Sequence, residues 1–399
     1  VSTEVRLSEE RKEKLTALCR DLIRIKSDSG YEGQAVEKLK QVFAEFGFEY
    51  RVDRFGSVTA CKKGRDGGPK LLFDGHVDTV PAQPSDWKHD PWGAQVEDGR
   101  IYGRGSSDMK GAVAAMICAA KYFSEDHPDF AGDLFLSCTV QEESFEGVAA
   151  GEVARAVQPD VVVIGEATEL ALNVGQRGRA EIVAEVFGRA AHSANPEKGI
   201  NAVSLMCELL KEFRKLPETH DEFLGKGILV PTDILSKPYP GLSVVPEYCR
   251  ATFDRRLLTG ETEESVLLPL REAAERLAKK HPGASAEISY AYGKMPCYTG
   301  ENIEGTRFFP AWKFSPEENF VSVLRKGLQN AGIPAPISHY SFCTNGSYFA
   351  GQAGIRTVGF GPSPENLAHT VDESIELEQL FGACVGYLAL SEAILCRPD

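Results

Sequence analysis

The sequence predicts an α/β protein interrupted by a smaller α+β insertion, and three observations predict it. Short apolar strands alternate with helical repeats up to about residue 178, the signature of a largely parallel sheet. From 179 to 293 the strands turn to an in–out alternation, in the order strand-helix-strand-strand-helix-strand. From 294 the first pattern resumes. A chain of 399 residues, 42% of them hydrophobic, can bury two cores. The expected division is thus 1–178 with 294–399 as one domain and 179–293 as the other.

Each element has a local reason. Ser8-Glu9-Glu10 reads as a cap followed by first-turn acids, and Leu15, Leu18, Cys19, Leu22 and Ile23 then follow helical spacing. Val36, Leu39, Val42, Phe43 and Phe46 mark a second helix. Strands are expected at Glu49–Asp53, Ser57–Lys62, Lys70–Val77, Leu134–Val140 and Val161–Ile164. An Ala-rich helix is expected at Gly111–Phe123 and another at Gly147–Val157. In the insertion, Glu181–Phe187, Arg250–Leu258 and Ala286–Tyr292 read as strands, Asn201–Leu216 and Thr262–Lys280 as helices. Beyond it come a helix at Val321–Ala331, a strand at Arg356–Phe360 and a helix at Leu377–Ile394.

Composition excludes several function classes. The net charge of −14, from 58 acidic against 44 basic residues, would repel a phosphate backbone or an anionic membrane. No apolar run approaches a membrane span, and no signal peptide is read at the start of the chain. Ten cysteines occur without a C-x-x-C pair, which argues against a thiolate zinc site. They read as reduced, small core residues, and the expectation is a cytoplasmic protein.

Five short motifs carry candidate chemistry. Asp74-Gly75-His76-Val77-Asp78 ends a strand, and its period of two puts His76 and Asp78 on one face. A neutral imidazole there could bind a metal while a carboxylate orients it; a simple histidine–aspartate hydrogen bond is the other reading. Asp108, in Gly103–Gly111, is either a helix cap or a carboxylate with two oxygens free to bridge cations. Glu142 and Glu143 leave a buried strand side by side and would repel each other unless a cation stands near. Glu166 ends the apolar Val161–Ile164 strand, and His369 follows the Arg356–Phe360 strand and a Gly/Pro turn. Each motif is weak alone. Together they set two imidazoles and several carboxylates at strand ends, where open α/β sheets gather their ligands. Such a donor set suits two zinc-like ions.

With these motifs the sequence resembles the dinuclear zinc amidohydrolases and exopeptidases that include acetylornithine deacetylase, succinyl-diaminopimelate desuccinylase, glutamate carboxypeptidase and aminoacylase. The resemblance implies a zinc-exopeptidase-like catalytic domain interrupted by a ferredoxin-like lid that forms a homodimer. It implies that His76 and Glu166 bind one metal, that Glu143 and His369 bind the other, and that Asp108 bridges them. Zinc is the expected ion, with cobalt or manganese as alternatives. Asp78 would orient His76, and Glu142 would serve as general base toward a water activated by the two metals. The motif Gly188–Ala202 matches the family's lid histidine, so His192 would stabilise the oxyanion, from the neighbouring subunit in dimeric members.

Arg256 alternates away from Ala251, Phe253 and Leu257 and would meet a substrate carboxylate; a surface ion pair with Asp254 is the other reading. Asn345 and Gly346, in a turn that is Asp-containing in many relatives, are expected to touch substrate. Ser243-Val244-Val245-Pro246, Ala167 after Glu166, Asp254–Leu257 and Gly260-Glu261-Thr262 are most similar to a branch described as selenium-metabolism-linked hydrolases. The implied activity is cleavage of an amide bond, N-acyl or peptide, in a small carboxylate-bearing substrate. A dipeptidase or aminopeptidase, an N-carbamoyl amino acid hydrolase, and a non-catalytic metal-binding protein are the alternatives. A nucleic-acid or membrane partner is not expected.

Overall fold

The structure is a computed structural model that describes residues 7–396. The first residues, on which the reading of the chain's start partly rests, lie outside that range. Contacts divide the chain into two compact units. The first runs to Gln176 and takes in Lys294–Glu304 and the chain from Lys313 on; the second is Arg177–Gly293 with Gly305–Trp312.

The first unit is built on a mixed sheet. Its strand order is Glu49–Val52, Val58–Lys63, Ala131–Thr139, Arg65–His76, Val161–Ile164, Arg356–Gly359 and Leu172–Gln176, with Ile337–Tyr340 also paired to the last. The four strands from Ala131–Thr139 to Arg356–Gly359 run parallel, with His76 opposite Thr139 and Gly359 opposite Ile164. Those four strands therefore finish at one rim. Both faces are covered, so successive residues of one strand serve different cores. Leu72 packs with Val153, Val157 and Ile164 beside the Val148–Val157 helix. Phe73 lies 5.2 Å from the ring of Tyr387, which belongs to the Leu377–Leu395 helix. The Gly111–Asp126 helix packs on that helix and is buried from Gly111 to Ala120, which explains why alanine fills it.

A second, three-stranded sheet was not expected from the sequence. Ser374–Glu376 pairs with Arg100–Tyr102, which pairs with Gln95–Glu97. These strands are only three residues long, too short for a periodic signal.

The second unit holds an antiparallel sheet in the order Ile228–Lys237, Tyr248–Leu257, Gly178–Phe187, Ser285–Tyr290. The helices Ala202–Phe213 and Glu263–Lys280 share its core. Ala180, Ile182, Ala184 and Val186 alternate into that core from one strand, Ala251, Phe253 and Leu257 from its neighbour. Burial of a side chain the size of Phe253 contributes about 1.5–3 kcal/mol. Asn201 caps the first helix by accepting from Val203 N and Ser204 N, and Thr262 and Ser265 form a reciprocal capping box on the second. One boundary differs from expectation. Phe308–Phe309 pairs with Gly178–Phe187, which draws Gly305–Trp312 into this unit although the sequence places it with the first. The strand Leu172–Gln176 is not legible in the sequence either, because it is buried throughout and its Asn173 and Gln176 break any apolar run or in–out alternation.

No helix among the described residues is long and apolar enough to cross a membrane. All ten cysteines are free, and seven of them are buried.

Candidate metal centre

The rim of the parallel strands collects the motifs singled out in the sequence. His76 is the last residue of its strand. Glu142 and Glu143 follow Ala131–Thr139, and Glu166 follows Val161–Ile164. Asp108 lies in the turn entering the Gly111–Asp126 helix, and the Asp108–Met109 peptide is cis. His369 sits in the loop between Arg356–Gly359 and Ser374–Glu376.

Asp108 is the centre of this group. Its Oδ1 lies 3.0 Å from His76 Nε2, and its Oδ2 lies 3.2 Å from His369 Nε2. The two imidazoles thus face different oxygens of one carboxylate. His76 Nε2 is also 3.3 Å from Glu166 Oε1, and His369 Nε2 is 2.9 Å from Glu143 Oε2. Potential ligand atoms of His76, Asp108 and Glu143, and those of His76, Glu142 and Glu166, lie within 4.8 Å of one another. His76, Glu142 and Glu166 are buried, whereas the His369 side chain is half exposed.

Burial and crowding set the protonation of these groups. Burial pushes Glu142 well above the usual carboxylate range; His76 opposes this, and Glu166, Glu146 and Glu143 add to it. Burial, helped by Asp108, raises Glu143 to about 7 and also raises Glu166. Burial disfavours a charge on His76, but Asp108 and Glu166 outweigh it and raise its pKa well above the ordinary value. Hydrogen bonds to Asp108 and Glu143 bring His369 to about 10. Burial works against the charge on Asp108, yet His369 and His76 hold its pKa below the usual range. Four crowded carboxylates, buried or partly buried, with two imidazoles are a donor set that fits divalent cations. Glu142 Oε1 is buried without a hydrogen-bond partner among the described residues, an acceptor left for something other than the protein.

The groups behind this cluster are tightly fixed. Gln141, immediately before the acidic pair, has φ 59°, a left-handed conformation that costs a non-glycine residue about 1–3 kcal/mol. It is held by a bond from its N–H to Glu32 Oε1 and one from Nε2 to the carbonyl of Pro296. Asp78 is fully buried and accepts from Glu142 N and Glu143 N, each at 3.1 Å, and from Ser29 Oγ at 2.7 Å. This changes the role expected for it. His76 Nδ1 meets the main-chain carbonyl of Asp78 at 2.9 Å, while the carboxylate is 3.6 Å away. The Asp78 side chain instead orients the acidic pair.

Asn345 and Gly346 belong to a buried turn. Asn345 is buried, donates from Nδ2 to Asp74 Oδ2 and Thr139 Oγ1, and accepts from Gly147 N at Oδ1. Gly346 N donates to Thr344 Oγ1. This turn closes a polar network beneath the rim, which takes up the Asn345 side chain. Arg256 and His192 belong to the second unit. Arg256 is not wholly free, since its Nε pairs with Asp254 Oδ1 at 2.8 Å, and Arg179 Nε takes the other oxygen at 3.1 Å. His192 is exposed, pairs opposite Val244, and accepts from Ala194 N at Nδ1. In the neutral ring the proton therefore lies on Nε2.

Sequence reasoning gave no role to Ser29, Glu32, Arg104 or Glu373. Glu373 stands inside the His369 motif, four residues on, and that proximity was the one available signal.

Comparison with known proteins agrees with this geometry. The family described as peptidase family M20/M25/M40 matches residues 72–392. The chain is 33% identical over 385 residues to uncharacterized protein YgeY of Escherichia coli (strain K12), covering 94% of this chain and 93% of that one. It is 32% identical over 383 residues to succinyl-diaminopimelate desuccinylase of Cereibacter sphaeroides, covering 91% and 94%. In fold it is similar to the Bacillus subtilis YXEP protein, a dinuclear metal binding peptidase from the M20 family, with TM-score 0.72, 15% identity and coverage of 97% and 99%. The chain belongs to peptidase family M20/M25/M40 and is a metallohydrolase of that family.

Proposed function

We propose that this chain hydrolyses an amide bond in a small carboxylate-bearing substrate, with His76 and Glu166 holding one zinc ion, Glu143 and His369 the other, and Asp108 shared between them. The observation that carries this is the pair of imidazoles facing the two oxygens of Asp108. When bound, the ions supply Lewis acidity toward water and the scissile carbonyl.

Glu142 moves the proton. Its buried oxygen, without a partner among the described residues, accepts it from the attacking water. The water oxygen bonds to the carbonyl carbon, the C–N bond breaks, and Glu142 returns the proton to the leaving nitrogen. Asp78 keeps Glu142 in place by accepting from the main-chain N–H groups on either side of it. His192, with its proton on Nε2, donates to the oxyanion, and Arg256, steadied by Asp254, receives the substrate carboxylate.

A homodimer through the second unit is part of this reading. Ile228–Lys237 is an edge strand with Val230, Ile234 and Leu235 exposed, an unusual amount of apolar surface for an unpaired edge. Ten free thiols support a reducing, cytoplasmic setting.

The test is metal analysis of zinc-supplemented protein, followed by a panel of N-acyl amino acids, N-carbamoyl amino acids and dipeptides. Two ions per chain and turnover of an N-acyl or dipeptide carboxylate are expected. Absence of stoichiometric metal would overturn the site, and turnover of N-carbamoyl substrates alone would overturn the substrate class.

A further inference from the structure

We propose that Glu373 is a positioning residue for the metal centre, fixing the main chain from which Asp108 reaches both imidazoles; this rests on the metal reading above. Glu373 is fully buried. Its Oε2 accepts from Arg104 Nη1 at 2.7 Å and Gly105 N at 3.1 Å. Its Oε1 accepts from Ser107 N at 2.8 Å and Asp108 N at 3.0 Å. The main chain adds a bond from Gly103 N to the Glu373 carbonyl at 2.9 Å. The turn 103–108 is therefore wrapped around one carboxylate.

The three-stranded sheet explains how Glu373 reaches that turn. Ser374 pairs with Tyr102, Ile375 with Ile101 and Glu376 with Arg100, so the residue before the ladder meets the residues that follow Tyr102. The ladder and the carboxylate join the loop bearing His369 to the loop bearing Asp108. Without this joint, the contact between His369 Nε2 and Asp108 Oδ2 at 3.2 Å would depend on two separately hinged loops.

An ordinary buried ion pair would need only the guanidinium. Arg104 is 5% exposed, its guanidinium carbon lies 5.1 Å from the centre of the Trp87 ring, and it neutralises Glu373. The three converging main-chain N–H groups are additional, and they are those of the turn that ends at Asp108. Placing a second carboxylate directly behind Asp108 adds like-charge repulsion, which a fold selected for stability alone would avoid. Asp78 is used in the same way on the Glu142–Glu143 turn. The centre is thus gripped from behind by two buried carboxylates that do not face it.

The experiment compares Glu373→Gln with the wild-type chain by chelator competition for Zn2+ and by Co2+ titration, with melting of the metal-free proteins in parallel. Glutamine keeps the shape but offers one acceptor oxygen, and it turns an NH2 group toward main-chain N–H donors. Affinity for divalent ions should fall roughly 10–100-fold, the usual effect of removing a group that orients a ligand. Hydrogen exchange at the Ser107 and Asp108 amides should accelerate in the metal-free variant. Glu373→Asp, which keeps the charge but shortens the reach, should give a smaller loss, and it carries the test if the glutamine variant does not fold. Wild-type affinity in a folded variant, whatever its melting temperature, would overturn the positioning role. Failure of the wild-type chain to bind metal would instead overturn the metal reading itself.

Discussion

The two units treat charge in opposite ways. At the rim of the first, Asp74, Asp78, Glu142, Glu166 and Glu373 are each at most 5% exposed, and Glu142 keeps a buried oxygen without a partner among the described residues. On the sheet of the second, Asp254 sits between Arg179 and Arg256, and all three remain partly exposed. Exposed pairs are worth about 0–1 kcal/mol, so the second arrangement costs little and demands nothing further. Buried, crowded carboxylates are expensive unless a cation or hydrogen-bond donors compensate them. Asp78 and Glu373 have such donors, whereas Glu142 Oε1 does not. That difference is what marks Glu142 out for the proton-transfer role proposed above.

The largest expected effect breaks the comparison at Glu142. Glu142→Ala should retain both metals and lower turnover by about 10²–10⁴-fold, read by metal analysis and steady-state kinetics. The reverse allocation, Glu142 as ligand and Glu143 as base, is geometrically close, because Glu142 lies within 4.8 Å of His76 and Glu166. Loss of one metal in Glu142→Ala would establish that reversed order. The contact of Glu143 with His369 at 2.9 Å supports the order proposed.

A second measurement asks whether the units cooperate across a dimer. Glu142→Ala and His192→Ala should each be nearly inactive as pure dimers. Random co-assembly makes about half the dimers mixed, each with one complete site if His192 serves the partner, so roughly a quarter of wild-type activity should return. No recovery in mixtures whose mixed dimers are confirmed by mass would place His192 in the site of its own chain.

The smallest effect sharpens the comparison at Asn345. Asn345→Ala removes donors to Asp74 and Thr139 and the acceptor for Gly147 N, at a cost of about 1–3 kcal/mol in thermal or urea unfolding. KM should stay near wild type. A raised KM with unchanged stability would support the substrate role read from the sequence.

Much of this was legible beforehand, for identifiable reasons. Alternation in Arg250–Leu258 separated the face carrying Asp254 and Arg256 from the one carrying Ala251, Phe253 and Leu257, and the structure buries the latter three. His76, Glu142, Glu143 and Glu166 were legible because each lies at the end of a strand with an apolar run or within four residues after it. The sheet formed by Gln95–Glu97, Arg100–Tyr102 and Ser374–Glu376 was not, since its pairing spans some 270 residues and its strands are too short to show a period. Glu373 was hidden for the same reason, and the network around Asn345 was hidden because a buried amide and a substrate-binding amide look alike in sequence.

The sequence by itself determined which side chains stand at the ends of strands, because apolar runs must be buried and their polar ends must emerge at a rim. It also determined the long helices of both units and the parallel strands that carry the site. Only the tertiary structure decided which carboxylate oxygen faces which imidazole, and that Asp78 and Glu373 turn away from the cluster to grip main-chain N–H groups. Those choices depend on contacts between residues 32 to 268 positions apart, fixed by sheet register and burial and by no local pattern.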